Sequence, residues 1–272
     1  MQTFNAITSR LFDVALAPFG HRWAWFDLLL WPILAGVVAL LIYKLVSNQK
    51  GIADAKRRIM VNLLEVVLYR ENVLGVLGST AKGLAQNVRY VGHNVVPMLV
   101  MIVPMTIVLV QLVAHYAYAP LEQGDVQLLE VSLAPGTKIA PRDVTADFPP
   151  GVAVEAGPVR TADGRVLWRL RMLEDGDHVV TLRAGDAVEQ KIVPVGDGPR
   201  KVPVLRTRTW EALLYPGEAA LPAGSSFETI KLATPQRDLN PFPSGEGGIL
   251  LWFFVASLVA GFLLRKRLGV TL

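Results

Sequence analysis

Three stretches of this chain carry long apolar runs, and the segments between them alternate in other ways. Leu28 to Val46 (LLLWPILAGVVALLIYKLV) holds one charge, Lys44, near its end. Val95 to Ala119 holds no Lys, Arg, Asp or Glu. Gly248 to Leu264 (GILLWFFVASLVAGFLL) stops at Arg265-Lys266-Arg267. A helix crossing a bilayer core needs about 17–25 apolar residues, and each block meets that length. Pro32, Pro97 and Pro104 do not argue against helices, because membrane helices tolerate proline where neighbours satisfy the freed carbonyls. The first block is too long for a signal-peptide core and lacks a small-residue cleavage pattern, so it reads as a retained helix.

The other segments have shorter periods. Phe4, Ile7, Leu11, Phe12, Ala15, Leu16 and Phe19 recur at helical spacing, which predicts an amphipathic helix. It lies in the outer interface or packs on an outer domain, and His21-Arg22 then turns the chain into the membrane. From Ile52 to Tyr69, apolar residues Ile52, Ala55, Ile59, Leu63, Val66 and Val67 mark a second helix. After the polar break Arg70-Glu71-Asn72, a third runs from Val73 to Val91 with Val73, Val76, Leu77, Leu84, Val88 and Val91 apolar. Gly75, Gly78 and Gly83 weaken it, at about 1 kcal/mol each. The short connection favours an antiparallel hairpin whose apolar stripes zip together.

From Gly124 to about Ser244 the period becomes two. Val126 to Leu133, Val152 to Glu155, Val166 to Met172, His178 to Arg183 and Ala187 to Val195 alternate apolar with polar residues. They are separated by Pro135-Gly136, Pro149-Pro150-Gly151, Asp163-Gly164, Asp175-Gly176, Ala184-Gly185-Asp186 and Gly196-Asp197-Gly198. Asp-Gly between strand-like runs signals a hairpin. Short strands at this spacing predict a β-sandwich, plausibly immunoglobulin-like.

The expected fold class is therefore an α-helical membrane protein, with three transmembrane helices and a cytoplasmic helical hairpin, plus an extracytoplasmic all-β, immunoglobulin-like domain. The parts run as an outer amphipathic helix (1–27), a first span (28–46), the hairpin (47–93), a second span (94–119), the β-domain (120–244), a third span (245–264) and a basic tail (265–272).

Charge orients this layout. Of 272 residues, 52% are hydrophobic and 18% charged, against about 25% charged in a soluble domain. Between Lys44 and His93 there are eight Lys or Arg and three acids. From Leu121 to Glu246 there are 14 basic and 18 acidic residues. Cytoplasmic loops collect Lys and Arg, so the hairpin and the tail are expected inside, and the N-terminus and β-domain outside. Trp23, Trp25, Phe26, Trp31, Tyr116, Tyr118 and Trp252 to Phe254 then mark the outer ends of the spans. A bacterial inner membrane fits this pattern.

Candidate chemistry is sparse. The chain has no Cys, which removes disulfides and thiolate ligands. No GxSxG, Walker loop, HExxH or GxGxxG in a strand–helix setting occurs. His21, His93, His115 and His178 fall on both sides of the expected membrane, so no shared metal site is expected. Glu174-Asp175-Gly176-Asp177 reads as a hairpin turn rather than a calcium loop. No cofactor is implied, and the reading is non-enzymatic, without nucleic-acid binding.

The second span is the most informative. Asn94, Met98, Met101, Met105, Val108 and Leu112 fall in one broad stripe, with Gln111 at its margin and His115 near its end. Met makes an adaptable surface, and polar residues inside a membrane face protein or a wet cavity. One reading is a partly polar client groove formed by Asn94, Met98, Met101, Met105 and Gln111. The other is ordinary helix packing, with Gln111 and His115 at the outer boundary. Lys56, Arg57 and Arg58 either contact headgroups or a client, or serve only as a positive-inside anchor. Ser257 and Gly261 form a small-xxx-small step that Ala35 and Ala39 oppose in helix packing.

The order of parts, from outer helix through span, cytoplasmic hairpin, span, outer insertion and span to basic tail, resembles the YidC-type membrane insertase superfamily, including its three-span relatives. The resemblance rests on architecture and topology over Phe4 to Tyr118 and Gly248 to Leu272. It implies membrane-protein insertion through a hydrophilic groove open to the cytoplasm, with the arm receiving nascent or small membrane proteins. The first span departs from that family in having no basic residue mid-membrane, since Lys44 lies at its inner end, and the outer β-region is not part of the shared core. A different class of function, a membrane-anchored receptor or complex subunit binding a protein partner through the β-domain, fits the same layout.

Overall fold

The computed structural model describes residues 2–16, 24–68, 73–196 and 201–270. Phe19, His21-Arg22 and Trp23, the polar break Arg70-Glu71-Asn72, and Asp197-Gly198 lie outside them, as do the side chains of Phe4, Val73, Gly75 and Val76.

Among the described residues, five α-helices and eight strands follow one another: α1 (Gln2–Leu16), α2 (Ala24–Val46), α3 (Gln49–Leu68), α4 (Val73–Tyr116), β1 (Val126–Leu133), β2 (Val144–Asp147), β3 (Val152–Arg160), β4 (Arg165–Met172), β5 (Gly176–Ala184), β6 (Ala187–Val195), β7 (Leu205–Thr207), β8 (Phe227–Leu232) and α5 (Gly245–Leu264). Three of the described helical stretches, Ala24–Val46, Leu77–Tyr116 and Gly245–Leu264, are long and apolar enough to cross a membrane. The chain divides into two compact units. One comprises residues 1–28 and 109–252, the other 29–108 and 253–272.

The first unit is built on two antiparallel sheets, with strand orders β3-β4-β1-β8-β7 and β2-β5-β6. Alternation along the strands turns one side inward. Leu129 and Val131 of β1, Val166, Trp168 and Leu170 of β4, Val180 and Leu182 of β5, and Val193 and Val195 of β6 share one buried core. That core contains residues of both sheets, so each closes over the other's apolar face. β5 and β6 pair through Ala184 opposite Ala187, leaving Gly185-Asp186 as the turn. Gly185 has φ +57° and no non-glycine residue among the described residues has positive φ, as a type II′ turn with glycine first requires.

Lys191 is fully buried in this core and reaches Glu218 and the Pro203 carbonyl. Glu218 also accepts the Ile192 backbone N–H at 2.7 Å. Burial lowers the Lys191 pKa, and Glu218 opposes that. The pair stitches the segment after β7 to β6. Helix α1 packs on this unit through Phe12 and Leu16, both buried, and Asn5 donates to the Ala212 carbonyl at 2.8 Å. Ile7, Leu11 and Val14 of the same helix stay exposed.

The second unit holds most of α2, all of α3, α4 as far as Val108, and the end of α5. Asn48 caps α3, its side-chain oxygen accepting the Gly51 N–H at 2.9 Å, which supplies one of the missing first-turn partners. Ile52, Leu40, Tyr43 and Val270 form a small core against which Tyr90, Met101, Leu264 and Leu268 pack. Gly36 allows α2 and α5 to touch, since a Cβ there would lie 2.6 Å from the Ser257 carbonyl oxygen.

Two expectations are corrected here. The predicted third helix and second span are one continuous helix of 44 residues, α4, about 66 Å long. Gly78, Gly83, Pro97 and Pro104 do not interrupt it. The apolar stripes of the hairpin also do not zip together along their length. Near the base Ile52 and Ala55 are buried, and Tyr90 and Met101 pack on the core around Ile52. Farther out Glu65 accepts from Ser79 at 2.9 Å, and a Cβ on Gly83 would sit 3.6 Å from Asn62. There the described residues of the two helices meet on small and polar side chains, while Leu63, Val67, Leu77, Leu84, Val88 and Val91 remain exposed. Small side chains let two backbones approach closely, and that approach turns the bulky residues of both helices away from the seam.

Candidate functional site

The five candidate groove residues lie in different surroundings. Asn94 accepts a hydrogen bond from the Tyr43 hydroxyl and donates to the Tyr90 carbonyl at 2.6 Å, so its amide ties α4 to α2. Met101 packs against the small core around Tyr43 and Ile52. Met98 is exposed. Met105 lines a cleft of about 90 Å³ between α2 and α4, with Pro104 and Val108 on one wall and Trp31, Leu34, Ala35, Val38 and Ala39 on the other. All eight lining side chains are apolar. Gln111 is buried in the other unit, and its side-chain oxygen has no hydrogen-bond partner.

Ala35 and Ala39 thus line the cleft toward α4. The contact of α2 with α5 runs through the neighbouring turns, Gly36 against Ser257 and Leu40 near Gly261. Ser257 is buried and donates to the Phe254 carbonyl at 3.0 Å within its own helix.

Lys56, Arg57 and Arg58 are all exposed on α3, and Arg57 pairs with Asp54 at 3.4 Å. Beyond them the helix changes character. Met60, Leu63, Leu64, Val67 and Leu68 are each more than half exposed, and Glu65 is the sole charged residue between Arg58 and Leu68. The distal half of α3 is therefore an apolar surface behind a basic collar.

A polar cluster that the sequence reading missed lies in the unit built on the β-sheets. His115, at the end of α4, meets Asp13 of α1 at 3.1 Å, and Lys201 meets the same carboxylate oxygen at 2.8 Å. Burial lowers the Lys201 pKa, against the pull of Asp13. Asp27, fully buried, accepts from the Tyr116 hydroxyl. Glu246 accepts from the Tyr118 hydroxyl and lies beside Tyr215. Asp27 and Glu246 are the acids in the first turns of α2 and α5. A lone acid at the edge of an apolar run was the signal available for both. Among the described residues, no group of three or more His, Asp or Glu is placed to hold a metal ion.

No family model and no curated protein matches this chain. Among solved structures, the crystal structure of the S-layer protein rSbsC aligns with 32% of this chain and 12% of its own length. The identity is 17% and the TM-score 0.24, so the likeness is local and partial.

Proposed function

We propose that this chain is an integral membrane protein, insertase-like or chaperone-like, of the YidC type. Its helical arm holds hydrophobic segments of nascent or small membrane proteins without catalysing a reaction. The observation that carries this reading is the apolar surface of α3 at Met60, Leu63, Leu64, Val67 and Leu68. Leaving such residues in water costs about 25 cal/mol per Å² of apolar surface. An arm with no partner gains nothing from that cost, whereas an arm that receives apolar helices recovers it at each encounter. Lys56, Arg57 and Arg58 hold the base of the arm at the anionic cytoplasmic leaflet. The N-terminus and the immunoglobulin-like β-domain then lie outside a bacterial inner membrane, and the C-terminal tail inside.

Client contact starts on the arm. Met105 and the α2–α4 cleft offer a pliable apolar continuation, while Asn94, Met98, Met101 and Gln111 remain the candidate polar and adaptable positions along α4.

A second reading has its own support. β3 is an edge strand of the five-stranded sheet, with Glu155 to Arg160 exposed and Val154 and Val159 among its exposed apolar residues. An open edge is a template for an added strand from a partner. The chain would then be a membrane-anchored receptor or complex subunit.

One experiment separates the two. A photocrosslinking residue replaces Leu64, Val159 or Val255 in the full chain during synthesis of small membrane proteins. Client adducts at Leu64 well above those at the Val255 control are expected. Adducts at Val159 alone favour the receptor reading, and no excess at Leu64 contradicts the client-holding arm.

A further inference from the structure

One exposed apolar stripe shares only Met98 with the proposed client-holding positions. Along α4 the residues Leu77, Ala81, Leu84, Val88, Val91, Val95, Met98 and Ile102 follow one another at alternating steps of four and three. That is a heptad pattern, with Leu77, Leu84, Val91 and Met98 at d and Ala81, Val88, Val95 and Ile102 at a. All eight are exposed. From Leu77 to Val91 the contacts with α3 and with the small core around Ile52 use the opposite face, Ser79, Gly83 and Tyr90, which are the f and c positions of the same register; beyond it, Asn94 and Met101 at g also join the contacts around Tyr43. The a/d seam therefore points away from its own hairpin from Leu77 to Val91.

Two features identify the occupant. A sustained 3.5-residue apolar period matches a second helix supercoiled on the first, and Val88 at a between Leu84 and Val91 at d, with Leu77 at the preceding d, is compatible with the β-branched-a, leucine-d preference of two parallel strands. The flanks fit self-association as well. The e positions are Gly78, Ala85, Gly92 and Leu99, and the g positions Thr80, Asn87, Asn94 and Met101. None is charged, so two identical helices meet without like charges across the seam. Lys82 and Arg89 fall at b, outside it. A Cβ on Gly78 or Gly92 would meet nothing within 4 Å, so these positions offer open space for an approaching helix. Lipid covers the stripe from Val95 to Ile102 if that part lies in a bilayer. Leu77 lies 18 residues before Val95 on the same unbroken helix, about 27 Å away, beyond the reach of the hydrocarbon.

We propose that α4 is one strand of a parallel, in-register two-stranded coiled coil formed with a second copy of this chain, from Leu77 to about Val91. The parallel sense rests on the membrane reading, because two copies inserted with one topology bring their α4 helices together side by side in the same direction.

The chain has no cysteine, so single-cysteine variants report cleanly. Leu84→Cys, Val88→Cys, Lys82→Cys and Arg89→Cys are introduced separately into the full chain and oxidised in native membranes. Disulfide-linked bands at twice the monomer mass are expected from Leu84→Cys and Val88→Cys, and none from Lys82→Cys or Arg89→Cys. Equal crosslinking at all four, none at any, or adducts only with other proteins would overturn the proposal. Leu84→Asp combined with Val88→Asp serves as a second measurement. These positions are exposed, so the fold is expected to survive, and the mass in nanodiscs is expected to fall from dimer to monomer. A dimer that persists would also overturn it. Carbonate extraction of the same membranes is scored separately: release of the chain fails the membrane reading, while the crosslink pattern still decides the coiled coil.

Discussion

Glu246 sits where two phenols converge. It accepts from Tyr118 and lies beside Tyr215. Burial, and then the negative charge of Glu246, push the Tyr215 pKa up to about 12 from its ordinary 10. A raised folded-state pKa gives stability that is fully present below the unfolded value and lost as pH climbs through the folded one. Stability is therefore expected to fall between pH 10 and about 12. Tyr215→Phe should flatten that limb, measured as the thermal midpoint of the full chain in detergent, while an unchanged slope would remove Tyr215 from the account. These clusters were poorly legible in the sequence. Asp13, His115 and Lys201 lie on three separate segments, and only the fold brings them within 3.1 Å of one carboxylate. The five groove candidates show the converse. A stripe at helical spacing fixes a face of α4, but not what each residue on that face meets. Asn94 meets Tyr43, Met105 meets the α2 cleft, and Gln111 is buried in the other unit.

Among the elements, helices and strands were legible to different depths. The period-two runs from Val126 to Leu133 and Ala187 to Val195 coincide with β1 and β6, because a half-buried strand writes its burial directly into alternation. The hairpin was legible as two helices, but not the continuity of the second with the following span. Glycine and proline weaken a helix locally, and a membrane-length apolar stretch on one side with a packed hairpin on the other holds it together. The small-residue step at Ser257 meets α2 at Gly36. Ala35 and Ala39 face α4, whereas Gly36, one residue round the helix, takes the contact with Ser257. Gly36→Val should therefore force α2 and α5 apart and cost about 1–3 kcal/mol, as overpacking does. Gly261→Ala, whose added Cβ would sit 4.0 Å from Leu40, should be nearly neutral. Unfolding titrations of both variants in mixed micelles check this, and equal losses would contradict the close contact at Gly36.

For the whole molecule, the apolar blocks and the strand-rich segment were the clearest signals, since three membrane-length helices and a separate β-sheet domain both follow from composition and period. What composition leaves open is sidedness. In the proposed layout three crossings set the arm, between the first and second, and the β-domain, between the second and third, on opposite faces of a bilayer. The excess of Lys and Arg between Lys44 and His93 is the argument for a cytoplasmic arm. The proposed client-holding role depends on that sidedness, because hydrophobic segments are synthesised in the cytoplasm. Labelling of Lys56→Cys and Asp186→Cys by a membrane-impermeant thiol reagent in intact and opened cells tests it most directly. Asp186→Cys is expected to react in intact cells and Lys56→Cys only once the membrane is opened; reaction of both from the same face would contradict the layout.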